Sequence, residues 1–431
     1  MDRLSPLSAA FLAAEDADPE CSMVIGSCAV LEGSAPSVEE VRELVASRLE
    51  LAPRYRQRVR PAPLDLRAPA WVDDPGFDLD QHVVARALPR PGSEVELAEL
   101  VGEVMDARMD RCRPLWEMTV VDGVAGGRWA LVCRVHHTLA DGVSGTELLR
   151  LVYDRVEPER PRHEVGIPKA RTGTAQVDEA LRAVRGGFAL TGALAPVHGP
   201  SVMGTLRTGR RYAWRTVEIE SVRDLRRGLE VTLNDVALAC VAGGFRALLE
   251  RRGLEPHPRA LRSLVPVSAW AGRSAAAPDN RVTLVLADLP VDLESPVRRV
   301  VAVHDRMARL RRAGEPQAGL WIQRLAAAVP YVLLGRAMRL LLSVPQHQVA
   351  TVTTNVPGPT VPLACLGRRA EAFLPYVPVA DRVRVGVAMF TYCGHLTFGL
   401  TGDRDVDDLE VLADGIESSW RELVGTAGGR P

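Results

Sequence analysis

The stretch "RWALVCRVHHTLADGVSGTELLRLVYD", residues 128–154, constrains the fold more than any other. Trp129, Leu131, Cys133 and Val135 alternate with other residues, as on a strand with one face against a core. The alternation stops at His136 and His137, and helical spacing takes over from Val143 to about Tyr153. The pattern therefore predicts strand, short loop, helix, with two adjacent histidines at the strand end. Neighbouring residues on extended chain point to opposite sides. One ring is expected to face a cleft while the other is packed or hydrogen-bonded inside.

Elsewhere the elements mix without a regular repeat. "MVIGSCAVL" (23–31) reads as a strand, and "SVEEVRELVASRL" (37–49) as a helix with Ser37 and Glu40 placed for a capping box. A second helix is predicted over 93–109. "PRYRQRVR" (53–60) reads as a half-exposed strand whose alternating arginines form either a solvated edge or a landing surface for an anion. Residues 156–205 are rich in proline, glycine and charge and read as a crossover between an N-terminal domain (1–155) and a C-terminal one (206–431). In the second half, "SVRDLRRG" carries a possible box at Ser221 and Asp224. "TLNDVALACVAGGFRALLERRG" is a strong helix, with Thr232 and Asp235 at its start and Gly253 at its end. Further helices are expected near 293–312, 319–343 and 405–424, and a hairpin turning at Cys393-Gly394. Because the strands are mostly non-consecutive, the fold class is α+β rather than a βαβ repeat.

Several functions are disfavoured. A formal net charge of -1 across 431 residues lacks the basic excess of a nucleic-acid binder. Seven scattered cysteines form neither a disulfide framework nor a structural zinc site, and read as buried thiols in a reducing compartment. Neither G-x-G-x-x-G opening a helix nor G-x-x-x-x-G-K-[ST] occurs; "GVAGG" at 123–127 is a turn. The acidic N-terminus does not read as a signal peptide. The eleven-residue apolar run 325–335 is too short to cross a bilayer. A cytoplasmic protein follows, or one peripheral to the inner face of the cell membrane or to lipid inclusions.

A catalytic histidine needs one ring nitrogen open to substrate and its tautomer fixed at the other. "HHTLADG" offers that at a rigid strand end. Asp141 could accept backbone amides at the helix start or pair with an arginine, and Gly142 could allow a close backbone approach. H-H-x-x-x-D is not a zinc spacing, so no metal is expected. Without a G-x-S-x-G elbow the histidine suits direct transfer, deprotonating a hydroxyl or amine that attacks an activated acyl group.

These residues resemble the HHxxxDG signature of the CoA-dependent acyltransferases of the chloramphenicol acetyltransferase and condensation-domain type. More closely, the chain resembles the bacterial bifunctional wax ester synthase/diacylglycerol acyltransferases. The likeness runs from "SPLSAAFLAAE" through "WVDDPGFDLDQHV", "RPLW" and "HHTLADG" to "TLNDVALACVAGGFRALL", "NRVTLVLADLP", "TTNVPGPTVPL" and "GLTGDRD", covering about residues 2–425. It implies two chloramphenicol-acetyltransferase-like domains packed as a V with a tunnel between them. It assigns His137 as general base and Asp141 as its structural partner, with His136 beside them. Pro114, Leu115 and Trp116 match the block associated with the alcohol or acyl pocket, although Trp116 could equally be a core residue. Asn234 and Asp235 match a block of the second domain, where helix capping already accounts for Asp235. Asn234 and Asn280 are candidate oxyanion donors, and Asn355 stands in a stiff loop suited to a tunnel wall or interdomain latch.

The implied substrates are acyl-CoA and either diacylglycerol or a long-chain fatty alcohol. No resident cofactor or nucleic acid is implied, and contact with a membrane or lipid droplet is possible. Rival readings are transfer to another hydroxyl or amine, or a lipid-binding protein without turnover.

Overall fold

The computed structural model describes residues 2–63, 66–141, 146–156, 202–268, 282–313 and 346–428. The first half contains α1 (Pro6–Ala17), β1 (Val24–Leu31), α2 (Val38–Arg48), β2 (Gln57–Arg60), β3 (Ala70–Asp73), β4 (Val83–Ala87), α3 (Glu94–Asp106), β5 (Trp116–Val124), β6 (Arg128–His136), α4 (His137–Asp141), α5 (Thr146–Val152) and β7 (Asp154–Arg155). The second contains β8 (Arg210–Glu218), α6 (Arg223–Leu229), α7 (Leu233–Arg251), β9 (Arg262–Ser268), β10 (Val282–Asp288), α8 (Pro296–Ala313), β11 (Thr351–Val356), β12 (Leu363–Cys365), β13 (Arg368–Tyr376), β14 (Val385–Tyr392), β15 (His395–Asp403) and α9 (Leu409–Gly428).

Two mixed sheets organise these elements. One has the order β4-β5-β6-β1-β13-β12-β7, the other β10-β9-β11-β14-β15-β8, and β2 and β3 form a small ribbon. The second half of the chain lends β12 and β13 to the first sheet, with Cys28 of β1 opposite Leu374 of β13. A division at residue 206 does not anticipate this exchange, because a boundary in sequence says nothing about which strands later return.

The return loop explains the stiffness of "TTNVPGP". A Cβ added to Gly358 would lie 2.0 Å from the Thr391 carbonyl oxygen, so only glycine lets the two backbones cross. The Gly358 amide also donates to Thr391 Oγ1 at 3.0 Å.

The local rules that predict elements hold where neighbouring residues suffice. Ser37 with Glu40, and Thr232 with Asp235, form the capping boxes expected of them. The β14–β15 hairpin turns at Cys393 (φ 45°) and Gly394 (φ 85°). The box at Ser221 does not form. Ser221 Oγ donates to the Glu218 carbonyl, a 3-10 turn occupies 220–222, and α6 starts without a side-chain cap.

"PRYRQRVR" divides into a 3-10 turn at 53–56 followed by β2, and its cations are locally engaged. Arg54 pairs with Asp2 and lies 5.0 Å from the Trp71 ring, Arg56 lies over Phe77, and Arg58 is 3.7 Å from Asp74. The neutralised edge, not the anion-landing surface, is the reading this arrangement favours. The helix expected at 319–343 and residues 157–201 of the crossover lie outside the described residues.

Separate cores cover the second sheet and the two faces of the first. In the second-sheet core, α7 packs against α9 so closely that a Cβ on Gly244 would stand 2.6 Å from the Leu412 carbonyl oxygen. The two halves are also joined by buried charge: Arg210 of β8 lies 3.3 Å from Asp106 at the end of α3. All seven cysteines are free; five are buried, Cys112 is exposed and Cys393 half-buried. Among the described residues, no single helix is long and apolar enough to cross a membrane.

Candidate active site

The site is built where β6 meets α4, directly beside the start of β1. Val24 pairs with His136, the His136 amide donates to the Leu115 carbonyl at 3.0 Å, and the His137 amide donates to the Met23 carbonyl at 2.8 Å. The strand therefore stays rigid to its last residue. His137 is the first residue of α4, so a helical turn over His137–Asp141 stands where the sequence predicts the start of a loop.

The two rings diverge, as adjacency at a strand end predicts. His136 is 0% exposed. Its Nδ1 accepts the Thr138 amide at 3.0 Å, which leaves the proton on Nε2, 3.2 Å from Glu15 Oε1. His136 thus caps α4 with its own side chain, the function an N-cap serine or asparagine ordinarily serves. His137 is only half-buried, and its ring lies 4.0 Å from Phe11, tilted by 30°. Thr138 Oγ1 donates to the Ser8 carbonyl at 2.8 Å, and Leu139 enters the core.

Ser8, Phe11 and Glu15 occupy one face of α1, at spacings that bring side chains into register on a helix. In sequence this helix is only the block "SPLSAAFLAAE", in which no residue signals a role. Glu15 is 1% exposed and accepts the Met23 amide at 2.8 Å and Arg111 Nη2 at 3.0 Å. Burial, the largest influence, would raise its pKa; the bonds from His136, Met23 and Arg111 overcome it and hold the pKa at about 2, below its ordinary 4.5. A short glutamate after two alanines carries no such signal in sequence, because its partners come from residues 23, 111 and 136.

The remaining candidates are dispersed. Leu115 and Trp116 are buried beside β6, with Trp116 of β5 opposite Val135. Trp116 Nε1 donates to the Tyr55 carbonyl at 2.7 Å, and its ring stacks on His82 at 4.6 Å. Burial holds the His82 imidazole below its ordinary range, against the opposing bond between its Nδ1 and the Trp116 carbonyl. Pro114 is likewise buried, and its carbonyl accepts the Trp116 amide at 3.0 Å. This segment is a supporting wall for the strand that ends in the histidines.

In the second half, Asp235 caps α7 and accepts His304 Nδ1 at 2.9 Å, while Asn355 Nδ2 donates to Asn234 Oδ1 at 3.0 Å. His304 was not singled out in the sequence. Asn280, Gly142 and the side chain of Asp141 lie outside the described residues, although the Asp141 backbone closes α4. Among the described residues, no group of three or more His, Cys, Asp or Glu side chains could hold a metal ion.

A groove of about 1430 Å³ runs between α3 and β8, lined by Val30, Leu97, Val124, Trp214 and Ala372 among others. It is not the histidine site. Val30 is six residues along β1 from Val24, roughly 20 Å at strand rise.

A split pair of histidines at the end of β6 in the first of two mixed sheets, carried by the HHxxxDG pattern, is the site of an acyltransferase of that class. Residues 4–237 match the wax ester synthase/diacylglycerol acyltransferase catalytic domain, and residues 279–424 match the C-terminal domain of the same family. The chain is 39% identical, over 98% of its length and 96% of the relative's, to the Mycobacterium tuberculosis H37Rv protein named "Probable diacyglycerol O-acyltransferase tgs1". It is 32% identical, over 98% of its length and 91% of the relative's, to "Putative diacyglycerol O-acyltransferase Rv3371" of the same strain.

Among solved structures it resembles the wax ester synthase/diacylglycerol acyltransferase from Marinobacter aquaeolei VT8, with a TM-score of 0.71, 25% identity and full coverage of both chains. The first condensation domain of the calcium-dependent antibiotic synthetase shares the fold, with a TM-score of 0.60 at 15% identity over 99% of this chain and 96% of that one. The chain belongs to the wax ester synthase/diacylglycerol acyltransferase family.

Proposed function

We propose that this protein transfers a long-chain acyl group from acyl-CoA to the hydroxyl of diacylglycerol or a long-chain fatty alcohol, with His137 as general base. The observation that carries this reading is the division of labour in the histidine pair. His136 is committed to Glu15 and to capping α4, whereas His137 is half-buried on a rigid turn at the signature's second position.

The imidazole of His137 takes the acceptor's hydroxyl proton as its oxygen attacks the thioester carbon. The tetrahedral intermediate collapses with cleavage of the carbon–sulfur bond, and the imidazolium returns the proton to the departing CoA thiolate. The products are an ester and free CoA. No second nucleophile is required, and a positioned base of this kind contributes about 10²–10⁴-fold in rate.

Asp141 is assigned to holding the turn, not to relaying the proton. Asn234, oriented by Asn355, and Asn280 are assigned to the tetrahedral oxyanion. Water-insoluble acceptors place the reaction at the inner face of the cell membrane or at lipid inclusions.

The test supplies purified protein with palmitoyl-CoA and, in competition, hexadecanol, a diacylglycerol and an amine of similar chain length. Thiol release is followed and the lipid product identified by mass. Triacylglycerol or wax ester is expected. An amide as the main product would move the protein to another acceptor class, and tight acyl-CoA binding without product would make it a lipid-binding protein.

A further inference from the structure

One buried carboxylate near the site has no part in the reaction as written. We propose that Glu15 is a positioning residue for acyl transfer, acting through His136 on the turn that presents His137; this rests on the reading of His137 as the base.

The chain of contacts is short and each link has a direction. Glu15 Oε1 receives the Met23 amide and faces the Nε2 proton of His136. With that proton held on Nε2, Nδ1 remains an acceptor for the Thr138 amide, which caps the first turn of α4. A proton on Nδ1 would set two N–H groups against each other and undo the cap. Met23 also accepts the His137 amide, so the backbone of the base and the carboxylate behind it share one residue.

The same helix face supplies Phe11 against the His137 ring and Ser8 against Thr138. Three consecutive residues, 136 to 138, are thereby fixed from α1. Outside that face, Arg111 bonds Glu15 Oε2 at 3.0 Å and also holds Asp16 and the Leu12 carbonyl, while Arg108 stands 3.6 Å from Glu15 and bonds its carbonyl. The buried negative charge is therefore matched, and its orientation is set from the side opposite the base. Other charged groups next to this assembly are Asp18 and Glu20 at the end of α1, and Arg210, whose Nη2 donates to the Glu20 carbonyl.

Glu15→Gln keeps an oxygen able to accept from His136 and Met23 but removes the charge; Glu15→Ala removes both. A catalytic group misplaced by about 1 Å costs on the order of 100-fold. For Glu15→Ala, kcat is expected to fall by about that factor, with KM for acyl-CoA and acceptor within about twofold of wild type. Glu15→Gln should retain more activity than Glu15→Ala. Its acid limb in the pH profile of kcat/KM should move to lower pH, because loss of the negative charge and the uncovered arginines both favour a neutral His137.

The variants are compared per folded molecule, and Glu15→Gln decides the matter if Glu15→Ala does not fold. An unchanged kcat and pH profile in Glu15→Gln, with only a lower melting temperature, would overturn the proposal and leave Glu15 as a fold-stabilising residue. Both substitutions are repeated on His137→Ala. No further loss in the double variant supports action through His137, and an equal further loss overturns it. Full activity of His137→Ala itself would instead remove the base assignment, independently of what Glu15 does.

Discussion

The buried Glu15 carboxylate makes part of the stability of the first half dependent on acid, by an amount that can be worked out. Its folded pKa of about 2 lies below the ordinary 4.5. A carboxyl depressed on folding contributes stability that is fully present above the unfolded value and lost as pH falls toward the folded one. The difference corresponds to up to ~3 kcal/mol, of which ~1 kcal/mol is lost by pH 4 and ~2 kcal/mol by pH 3.

Every other carboxylate also titrates there, so the informative quantity is the difference between wild type and Glu15→Gln, which cannot ionise. Urea unfolding of both proteins, followed at pH 7, 5, 4 and 3.5, should show their stabilities converging below pH 5. Above pH 5 the gap should be constant. Parallel curves across the whole range would mean that the carboxylate is not held ionised by His136, Met23 and Arg111, and the account of α1 as an electrostatic anchor would fail.

Other substitutions probe the frame around the site. Gly244→Ala, normally favourable inside a helix, should destabilise by ~2 kcal/mol, because its Cβ meets the Leu412 carbonyl at 2.6 Å; a thermal melt gives the sign. Trp116→Phe removes the donor to the Tyr55 carbonyl and should cost ~2 kcal/mol in chemical denaturation while leaving the acyl-chain product profile unchanged. A changed chain-length profile would return Trp116 to the substrate pocket. Thr232→Ala removes the α7 cap and should cost ~1 kcal/mol, measured in the same way.

What the chain discloses in advance depends on how far apart the deciding residues stand. The boxes at Ser37 and Thr232 and the Cys393-Gly394 hairpin are settled within a few residues, and all are readable. Ser221 presents the same pattern, but its hydroxyl finds the Glu218 carbonyl first, a competition that residue types alone do not rank. The divergence of His136 and His137 follows from strand geometry, whereas the start of α4 at His137 does not. That helix begins there because His136 can cap it, and His136 adopts the required tautomer beside a carboxylate 121 positions earlier in the chain.

The exchange of β12 and β13 into the first sheet is likewise a long-range pairing. The glycine that permits it, Gly358, reads in sequence only as part of a stiff loop. Trp116 reads equally as a pocket or a core residue, and its contacts come from residues 55 and 82. It is buried, stacked on His82 and bonded to the Tyr55 carbonyl.

The most direct test of the central claim is turnover by His137→Ala beside wild type, with palmitoyl-CoA and a diacylglycerol or hexadecanol and the ester product quantified by mass. Wild type should form ester with stoichiometric CoA release. His137→Ala, folded and still binding acyl-CoA, should be slower by at least about 100-fold. Ester formation at the wild-type rate by that variant would contradict the account at its root.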